Sequence, residues 1–205
     1  MIVKRLAVRS GVPGGQSRFA PSRAARYSFK FLKTDDPGHS FPSREVRVKG
    51  DPKVIAVLSE VLKAELTAIN QYFLHAEMCE NWGYEKMAKH TRKESIEEMT
   101  HAEILMERIL LLDGTPNMSD YFKINIGQNV QQQLKNDLDL EYTAVKRLND
   151  GIKTCVAAGD NGSRELLEKI LTDEEHHIDW LEGQLHAIEE MGYENYLSQQ
   201  LHGED

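Results

Sequence analysis

Hydrophobic residues recur every three or four positions along most of the chain after residue 50, which is the period of a helix with one apolar face. Three long helices are predicted at about 52–82, 85–112 and 129–158. A fourth follows the Asn161-Gly162-Ser163 cap and runs to Met191, and a short fifth covers about 194–201. Glycine closes each long helix, as is typical of helix ends.

The lengths of the connections indicate how these helices pack. Short turns join helices one and two and helices three and four, whereas residues 113–128 form a long link between the two pairs. Short turns place neighbouring helices side by side, and a long link crosses the length of a bundle. The sequence therefore predicts an all-α, ferritin-like four-helix bundle with a long crossover between helices two and three and a short fifth C-terminal helix.

Acidic residues and histidines interrupt the apolar face of each long helix near its middle. On helix one the face reads Val54, Leu58, Val61, Glu65, Ala68 and Tyr72, and on helix three it reads Leu134, Leu138, Glu141, Val145, Leu148 and Ile152. Helices two and four each carry a Glu-x-x-His pair on the apolar face, Glu98 with His101 and Glu174 with His177.

Four carboxylates and two imidazoles in one core predict a pair of metal ions. An unpaired buried carboxylate costs several kcal/mol or shifts its pKa until it is neutral, so four of them together require cations. The spacing of three puts Glu and His on one side of a helix, where they can bind one side of a metal site. A single pair would more simply be a solvated helix face. Two pairs with two further glutamates favour a di-iron carboxylate site, which uses this ligand set in helical bundles.

The charge of the chain is divided unevenly. Residues 1–48 carry ten of the 25 basic and three of the 33 acidic residues, so 15 basic and 30 acidic residues lie in the remainder. The acidic body excludes nucleic acid as a partner and suits a protein that attracts cations. No apolar run approaches the roughly 20 residues of a membrane span. Cys79 and Cys155 lack metal-binding spacing and are predicted to be reduced, partly buried thiols of a cytoplasmic protein.

Residues 1–48 contain prolines, glycines and scattered arginines and have no sustained period. We predict a basic, disordered N-terminal extension, with residues 49–205 forming the helical domain. The composition of residues 1–48 also resembles that of an organellar transit peptide. A third interpretation, which we favour, is that the segment is a translated upstream region and that the natural start lies at Val48.

Several short segments carry a family resemblance. They are Val48-Lys49-Gly50-Asp51 with Lys53-Val54-Ile55, Ala68-Ile69-Asn70-Gln71-Tyr72-Phe73-Leu74-His75-Ala76, the run from Glu94-Ser95-Ile96 to His101, Asn125-Ile126-Gly127, and His177-Ile178-Asp179-Trp180-Leu181-Glu182. On these segments residues 48–205 resemble the bacterioferritin family, with valine in the place of the initiator methionine. The resemblance covers the helical body and none of residues 1–47.

The resemblance implies a role for each of the six polar residues. Glu98 and Glu174 would bridge two irons in each subunit. The terminal ligands would be Glu65 and His101 on one iron and Glu141 and His177 on the other. Carboxylate-rich ligation with one imidazole per metal suits iron that cycles between its ferrous and ferric states.

The resemblance also implies haem b, shared between two subunits. Met99 follows Glu98 and so points away from the metal core. Family members use a methionine here as the axial haem ligand, paired with its copy across a two-fold interface. Without the resemblance, a lone methionine on a helix indicates ordinary packing. The residues implied to help line the haem pocket are Leu66, Ile69, Asn70 and Phe73.

Two aromatic residues are placed near the irons by the resemblance. Tyr72 would lie beside the site as a hydrogen-bond and redox partner, although the pattern alone makes it an apolar-face aromatic. Trp180 matches a family tryptophan near the site, and we expect it to pack there and not to carry electrons.

Two positions depart from the family pattern. Lys93 stands where family members can carry a histidine of an additional iron site on the inner cavity wall, together with Glu94 and Glu97. A protonated lysine cannot bind iron, so we do not expect that site to work here. Arg92 occupies a position beside the haem that can be a tyrosine.

We therefore expect an iron-storage ferroxidase, an Fe(II):oxygen oxidoreductase. Oxygen or peroxide would take electrons from two ferrous ions, and ferric mineral would accumulate inside a homo-oligomeric shell of about 24 subunits built from dimers. Haem would aid iron release, with a ferredoxin-type protein as the candidate reductant.

Other classes of protein give three alternatives. A rubrerythrin-like di-iron peroxidase would normally carry a four-cysteine module, whereas this chain has two cysteines. A DNA-protecting mini-ferritin places its metal site between subunits. The third alternative is a protein without this iron chemistry: a metal-free structural or partner-binding bundle, which would purify without iron, or a non-catalytic shell subunit.

Overall fold

A computed structural model of the protein describes residues 49–201. Within them lie five helices and no strand: α1 Pro52–Trp82, α2 Glu85–Leu111, α3 Val130–Ala158, α4 Asn161–Met191 and α5 Tyr193–Ser198. The predicted all-α bundle, its long crossover and its short last helix are confirmed. The basic extension of residues 1–48 and its three interpretations lie outside the described residues.

Local sequence explains most of the helix ends. The carboxylate of Asp51 accepts a hydrogen bond from the backbone N–H of Lys53 at 2.7 Å, with Pro52 at the first helical position. Gly83 and Gly159 close α1 and α3 at φ of 83° and 71°, which only glycine adopts without strain.

The start of α4 differs from the prediction. The cap is Asp160, whose carboxylate accepts the backbone N–H of Ser163 at 2.9 Å, and not the triplet that follows it. Arg108 of α2 fixes this carboxylate from the side, with Nη2 at 2.6 Å from Oδ1. Because that contact comes from a distant helix, the local sequence could not reveal it.

The helices pack as two pairs, α1 on α2 and α3 on α4, with α1 also packed against α3. One apolar cluster contains Leu58, Leu105 and Ile170. A second cluster contains Leu134 and receives Tyr196 from α5. None of the described helices is long and apolar enough to cross a membrane. Cys79 and Cys155 form no disulfide, and both are fully buried, not partly buried as predicted.

The buried face of α3 differs in part from the predicted one. Leu134, Glu141 and Leu148 are buried, but Leu138, Val145 and Ile152 are only half-buried. The positions before these three, Asp137, Ala144 and Gly151, are buried instead. A Cβ on Gly151 would lie 2.7 Å from Val57, so the small residue allows α3 to approach α1 closely. The prediction selected the largest apolar side chains, whereas close contact selected small or polar ones.

Side chains of α1 hold the crossover in place. Acceptor atoms at successive turns bind backbone N–H groups of the link: Thr67 binds Phe122 at 2.9 Å, Gln71 binds Asn125 at 2.9 Å, and His75 binds Gly127 at 3.0 Å. The long connection is therefore fastened along the helix that also carries Glu65 and Tyr72.

Candidate metal centre

The structure brings all six predicted polar residues together inside the bundle. The most exposed of them, His177, has 9% of its surface accessible. Ligand atoms of one set lie within 4.8 Å of one another, and so do those of a second set: Glu65, Glu98, His101 and Glu174, then Glu98, Glu141, Glu174 and His177. Glu98 and Glu174 belong to both sets, so two adjacent metal positions would share two carboxylates.

In each Glu-x-x-His pair the histidine lies close to the glutamate of its own pair and to the glutamate of the other pair. The Nδ1 atom of His101 lies 3.0 Å from Glu98 Oε2 on its own helix and 3.5 Å from Glu174 Oε1 on α4. The Nδ1 atom of His177 lies 3.0 Å from Glu174 Oε2 and 3.3 Å from Glu98 Oε1. The two halves of the site are therefore related by an approximate two-fold axis.

The lone glutamates complete the two halves. Glu65 Oε2 lies 3.8 Å from Nδ1 of His101, and Glu141 Oε1 lies 3.8 Å from Nδ1 of His177. Tyr72, which is buried, donates its hydroxyl hydrogen to Glu141 Oε1. Glu65 has no matching tyrosine among its described hydrogen bonds, so the symmetry is broken at this point.

Unpaired polar atoms concentrate in this cluster. Among the described residues, seven buried side-chain nitrogen and oxygen atoms have no partner in hydrogen-bond geometry, and all but Arg164 Nε belong to the cluster and adjoining Glu94. They include both carboxylate oxygens of Glu174, although Oε2 lies close to His177, because that approach is poorly aligned. Such atoms are costly in a protein interior, and metal ligation would satisfy them.

Burial and crowding change the protonation of the cluster. Burial, helped by the nearby Glu98 carboxylate, raises the pKa of Glu65 from 4.5 to about 8. Burial and the charge of Glu174 raise the pKa of Glu141 well above its usual range. For His101 and His177 burial opposes protonation, but the surrounding carboxylates outweigh it and raise the pKa of both. Protons thus balance part of the charge, and metal ions would displace them.

Comparison with known proteins identifies the family. A family model described as a ferritin-like domain matches residues 55–191. Bacterioferritin BfrA of Mycobacterium tuberculosis is 50% identical over 152 residues, covering 74% of this chain and 96% of that protein. The bacterioferritin of Streptomyces coelicolor is 52% identical over 151 residues, covering 74% of this chain and 90% of that protein. The chain belongs to the bacterioferritin family.

Membership of the bacterioferritins establishes the general function. The chain is an iron-binding, iron-storage protein that assembles into an oligomeric shell, as its family does. Bacterioferritins are generally ferroxidases, and the buried carboxylate and histidine sets are compatible with a di-iron site. A more distant member, from Brucella melitensis, is still 44% identical over 149 residues, 73% of this chain and 92% of that protein.

A cavity of about 630 Å³ opens beside the cluster, with His101 and His177 in its wall. His90 and Trp180 also line it, and the His90 ring stacks on Trp180, with ring centroids 3.5 Å apart and planes inclined by 22°. Trp180 therefore packs as expected, but on a histidine that the sequence did not single out. A lone histidine outside the Glu-x-x-His pattern gives no signal that would have found it.

Glu94 and Glu97, which match the family's additional iron site on the inner cavity wall, lie close to His177. Ligand atoms of Glu94, Glu97 and His177 lie within 4.8 Å of one another. The Lys93 ammonium is 2.9 Å from Glu97 Oε2, and this hydrogen bond raises the pKa of Lys93. Lys93 thus supplies the positive charge that a metal ion would supply at Glu97. That this additional site does not hold iron stays a prediction.

Met99 belongs to neither ligand set of the metal cluster. Its side chain is 45% exposed, and exposed Phe73 and Ile96 lie on the same pair of helices. Arg92, which also pairs with Glu77, stands over Phe73 with its guanidinium carbon 5.2 Å from the ring centroid. Three of the predicted haem-lining residues, Ile69, Asn70 and Phe73, are half-buried or exposed, whereas Leu66 is already buried in the subunit core.

Proposed function

We propose that the chain oxidises Fe(II) to Fe(III) at a di-iron centre within each subunit, and that the ferric product is deposited as mineral inside the shell. The observation that supports this most directly is the pair of ligand sets that share Glu98 and Glu174. These sets are buried and rich in unpartnered oxygens, so the folded chain presents ready ligands for two cations.

In this proposal Glu98 and Glu174 would help to hold both irons. Glu65 and His101 would complete the ligands of one iron, and Glu141 and His177 those of the other. Four ionised carboxylates balance the charge of two divalent ions, while each imidazole binds through a deprotonated Nδ1. When bound, the two irons share the loss of electrons to oxygen or peroxide.

The protein's own groups prepare the site. Binding of divalent metal displaces the protons of His101, His177 and Glu65, which can leave through the adjoining cavity that His101 and His177 line. Tyr72 keeps its proton, because burial and the charge of Glu141 raise its pKa well above 10. Its hydroxyl therefore stays a donor that holds Oε1 of Glu141 in place.

The proposal extends to haem b and the assembly. The exposed Met99 thioether, with its copy in a second subunit, would hold haem at a dimer interface, and haem would supply a path for electrons during iron release. Met99→Leu should then lose the haem absorption of the purified protein while keeping fast iron oxidation. A shell of about 24 subunits, a ferredoxin-type reductant and a cytoplasmic location stay predictions.

An anaerobic titration of the iron-free protein with Fe(II), followed by oxygen or peroxide in a stopped-flow instrument, tests the ferroxidase. A fast phase that saturates at about two irons per subunit is expected. Slow oxidation alone, at the rate of free iron, would contradict the proposal and leave the chain as a shell-forming or haem-carrying subunit.

A further inference from the structure

Each histidine of the cluster has a second carboxylate at its outer ring nitrogen. His101 Nε2 on α2 donates to Asp173 Oδ2 on α4, at 3.2 Å. His177 Nε2 on α4 lies 2.7 Å from Glu94 Oε2 on α2. Both histidines thus turn Nδ1 towards the shared glutamates and Nε2 towards an acidic residue of the opposing helix. Neither Asp173 nor Glu94 belongs to the two ligand sets of the candidate di-iron centre.

This arrangement determines which ring nitrogen is free for metal. A neutral imidazole carries one proton, and a carboxylate at Nε2 favours the form with that proton on Nε2. Nδ1 is then left with its lone pair directed at the metal position. Outer carboxylates of this kind also fix the ring orientation and make the ligand nitrogen more basic.

The two outer carboxylates lie in different surroundings. The side chain of Asp173 is 54% exposed, so water and salt screen its interaction with His101. The Glu94 side chain is 9% exposed, and its Oε2 has no aligned hydrogen-bond partner, so the charge of that atom acts on the adjacent His177. Electrostatic interactions are stronger where water is excluded.

Glu94 is also supported from behind. Its other oxygen, Oε1, lies 3.4 Å from Nε2 of His90, whose ring stacks on Trp180. The buried carboxylate is therefore held on both sides, by His90 and by His177. Asp173 stands on the exposed surface of α4, where its side chain is free to turn into solvent.

We propose that Glu94 and Asp173 are positioning residues for the two metal-binding histidines, and that their unequal burial makes the two iron positions unequal. The His177 position binds divalent metal more tightly because of the buried Glu94. The His101 position binds more weakly and exchanges with the cavity first. The inference rests on the proposed di-iron function, to which it adds an order of metal binding and release.

Cobalt(II) binding to the full-length, iron-free assembly tests this without any oxidation reaction. Stepwise affinities come from calorimetry, and the visible absorption of Co(II) reports the geometry at each position. The wild type should bind about two ions in two distinguishable steps. Glu94→Gln should weaken the tighter step by about 10- to 100-fold, and Asp173→Asn should weaken the other step by less. Glu94→Asp, which keeps the charge but withdraws it, should give an intermediate loss.

Variants that keep only one of the two histidines show which metal position each binding step belongs to. In a His101→Ala protein the His177 position remains, so Glu94→Gln should weaken the remaining step and Asp173→Asn should not. In a His177→Ala protein this pattern should reverse. Glu103→Gln, which changes an exposed carboxylate of α2, and Glu175→Gln, which changes an exposed neighbour of Asp173, are the matched controls.

The outcomes separate this inference from the ferroxidase proposal. Two Co(II) ions per wild-type subunit with equal effects of Glu94→Gln and Asp173→Asn would overturn the inference and leave the di-iron site standing. An effect of Glu103→Gln as large as that of Glu94→Gln would also overturn it, because a general loss of acidity would then explain both. Fewer than two ions in the wild type would overturn both proposals.

Discussion

Two buried polar regions both take residues from α1 and α3, and their hydrogen bonding differs. The first, which we call the crossover network, consists of Gln71, His75, Asp137 and the backbone of Gly127. In it, Asp137 accepts from Gln71 Nε2 at 2.8 Å and pairs with His75 Nδ1 at 2.9 Å. The other ring nitrogen of His75 accepts from the backbone of Gly127. These side chains are at most 3% exposed, and none of their atoms lacks a partner. In the metal cluster, at equal depth, Glu65, Glu98 and Glu174 all have unpartnered oxygens.

Polar residues that are buried to hold the fold together therefore differ from polar residues that are buried to bind metal. Both regions contain histidine and carboxylate, so residue type alone does not distinguish them. A network whose donors and acceptors are all paired holds two parts of the chain together. A cluster with excess acceptors and no donors for them is incomplete without a cation.

The largest expected effect comes from breaking the cluster at a shared carboxylate. Glu98→Gln should abolish the fast phase of iron oxidation and the rise in melting temperature that metal produces. The iron-free variant should be no less stable than the wild type, because one of four crowded carboxylates is removed. Stopped-flow absorbance and thermal unfolding measure the two effects. Poor folding or assembly without iron would show that Glu98 has a structural role, like Asp137.

Changing the pH should shift metal affinity strongly in the cluster. Protons compete for Glu65, whose pKa is about 8 in the folded protein, so Co(II) affinity should rise with pH through that value. The change approaches tenfold per pH unit for each proton displaced. Calorimetry in buffers of different ionisation enthalpy would measure the protons released. An affinity that does not vary between pH 6 and 8 would contradict the raised pKa.

The raised pKa of Glu65 makes the stability of the iron-free protein fall with pH, whereas metal affinity rises. The folded pKa of Glu65 lies above its unfolded value of 4.5. Its contribution to the free energy of unfolding is therefore complete below pH 4.5 and is lost as the pH rises through about 8. Unfolding midpoints in urea should therefore fall over this range without metal. Glu65→Gln is the matched variant and should reduce the fall.

Breaking the crossover network should affect stability and leave the metal site intact. In Asp137→Asn an NH2 group replaces one carboxylate oxygen, and in the Oδ2 position it would face the Nδ1–H donor of His75 at 3.0 Å. Two buried donors then lack an acceptor, which should cost about 1–3 kcal/mol of unfolding free energy. Urea denaturation measures the loss, with the exposed Asp139→Asn as the control. Reduced Co(II) stoichiometry in Asp137→Asn would show that the two regions depend on each other.

The smallest effect should come from Tyr72, which follows Gln71 of the crossover network and donates to Glu141 of the metal cluster. Tyr72→Phe removes the donor to Glu141 and should slow fast iron oxidation by about tenfold, the loss expected for a hydrogen bond to a charged group. Metal stoichiometry should stay at that of the wild type. An unchanged rate would make Tyr72 an apolar packing residue.

Periodicity alone predicted much of the fold and the main ligands. Glu65 and Glu98 lie where a helix must face the bundle core, and that position depends on spacing along one helix. The glycines after α1 and α3 end those helices through their own conformational freedom. Such features need only neighbouring residues, and the described structure agrees with them.

Contacts between helices needed the tertiary structure. His90 stacked on Trp180, Asp137 between Gln71 and His75, and the outer carboxylates of the two histidines join residues far apart in the chain. The α3 face was assigned in part wrongly because Gly151 and Asp137 are buried through close approach to α1, not through their own hydrophobicity. The sequence by itself determined which side of α1, α2 and α4 is buried, and part of that side for α3, because helical period is local. The fold alone decided which buried polar atoms find partners, because hydrogen bonding depends on distances between helices that no single segment specifies.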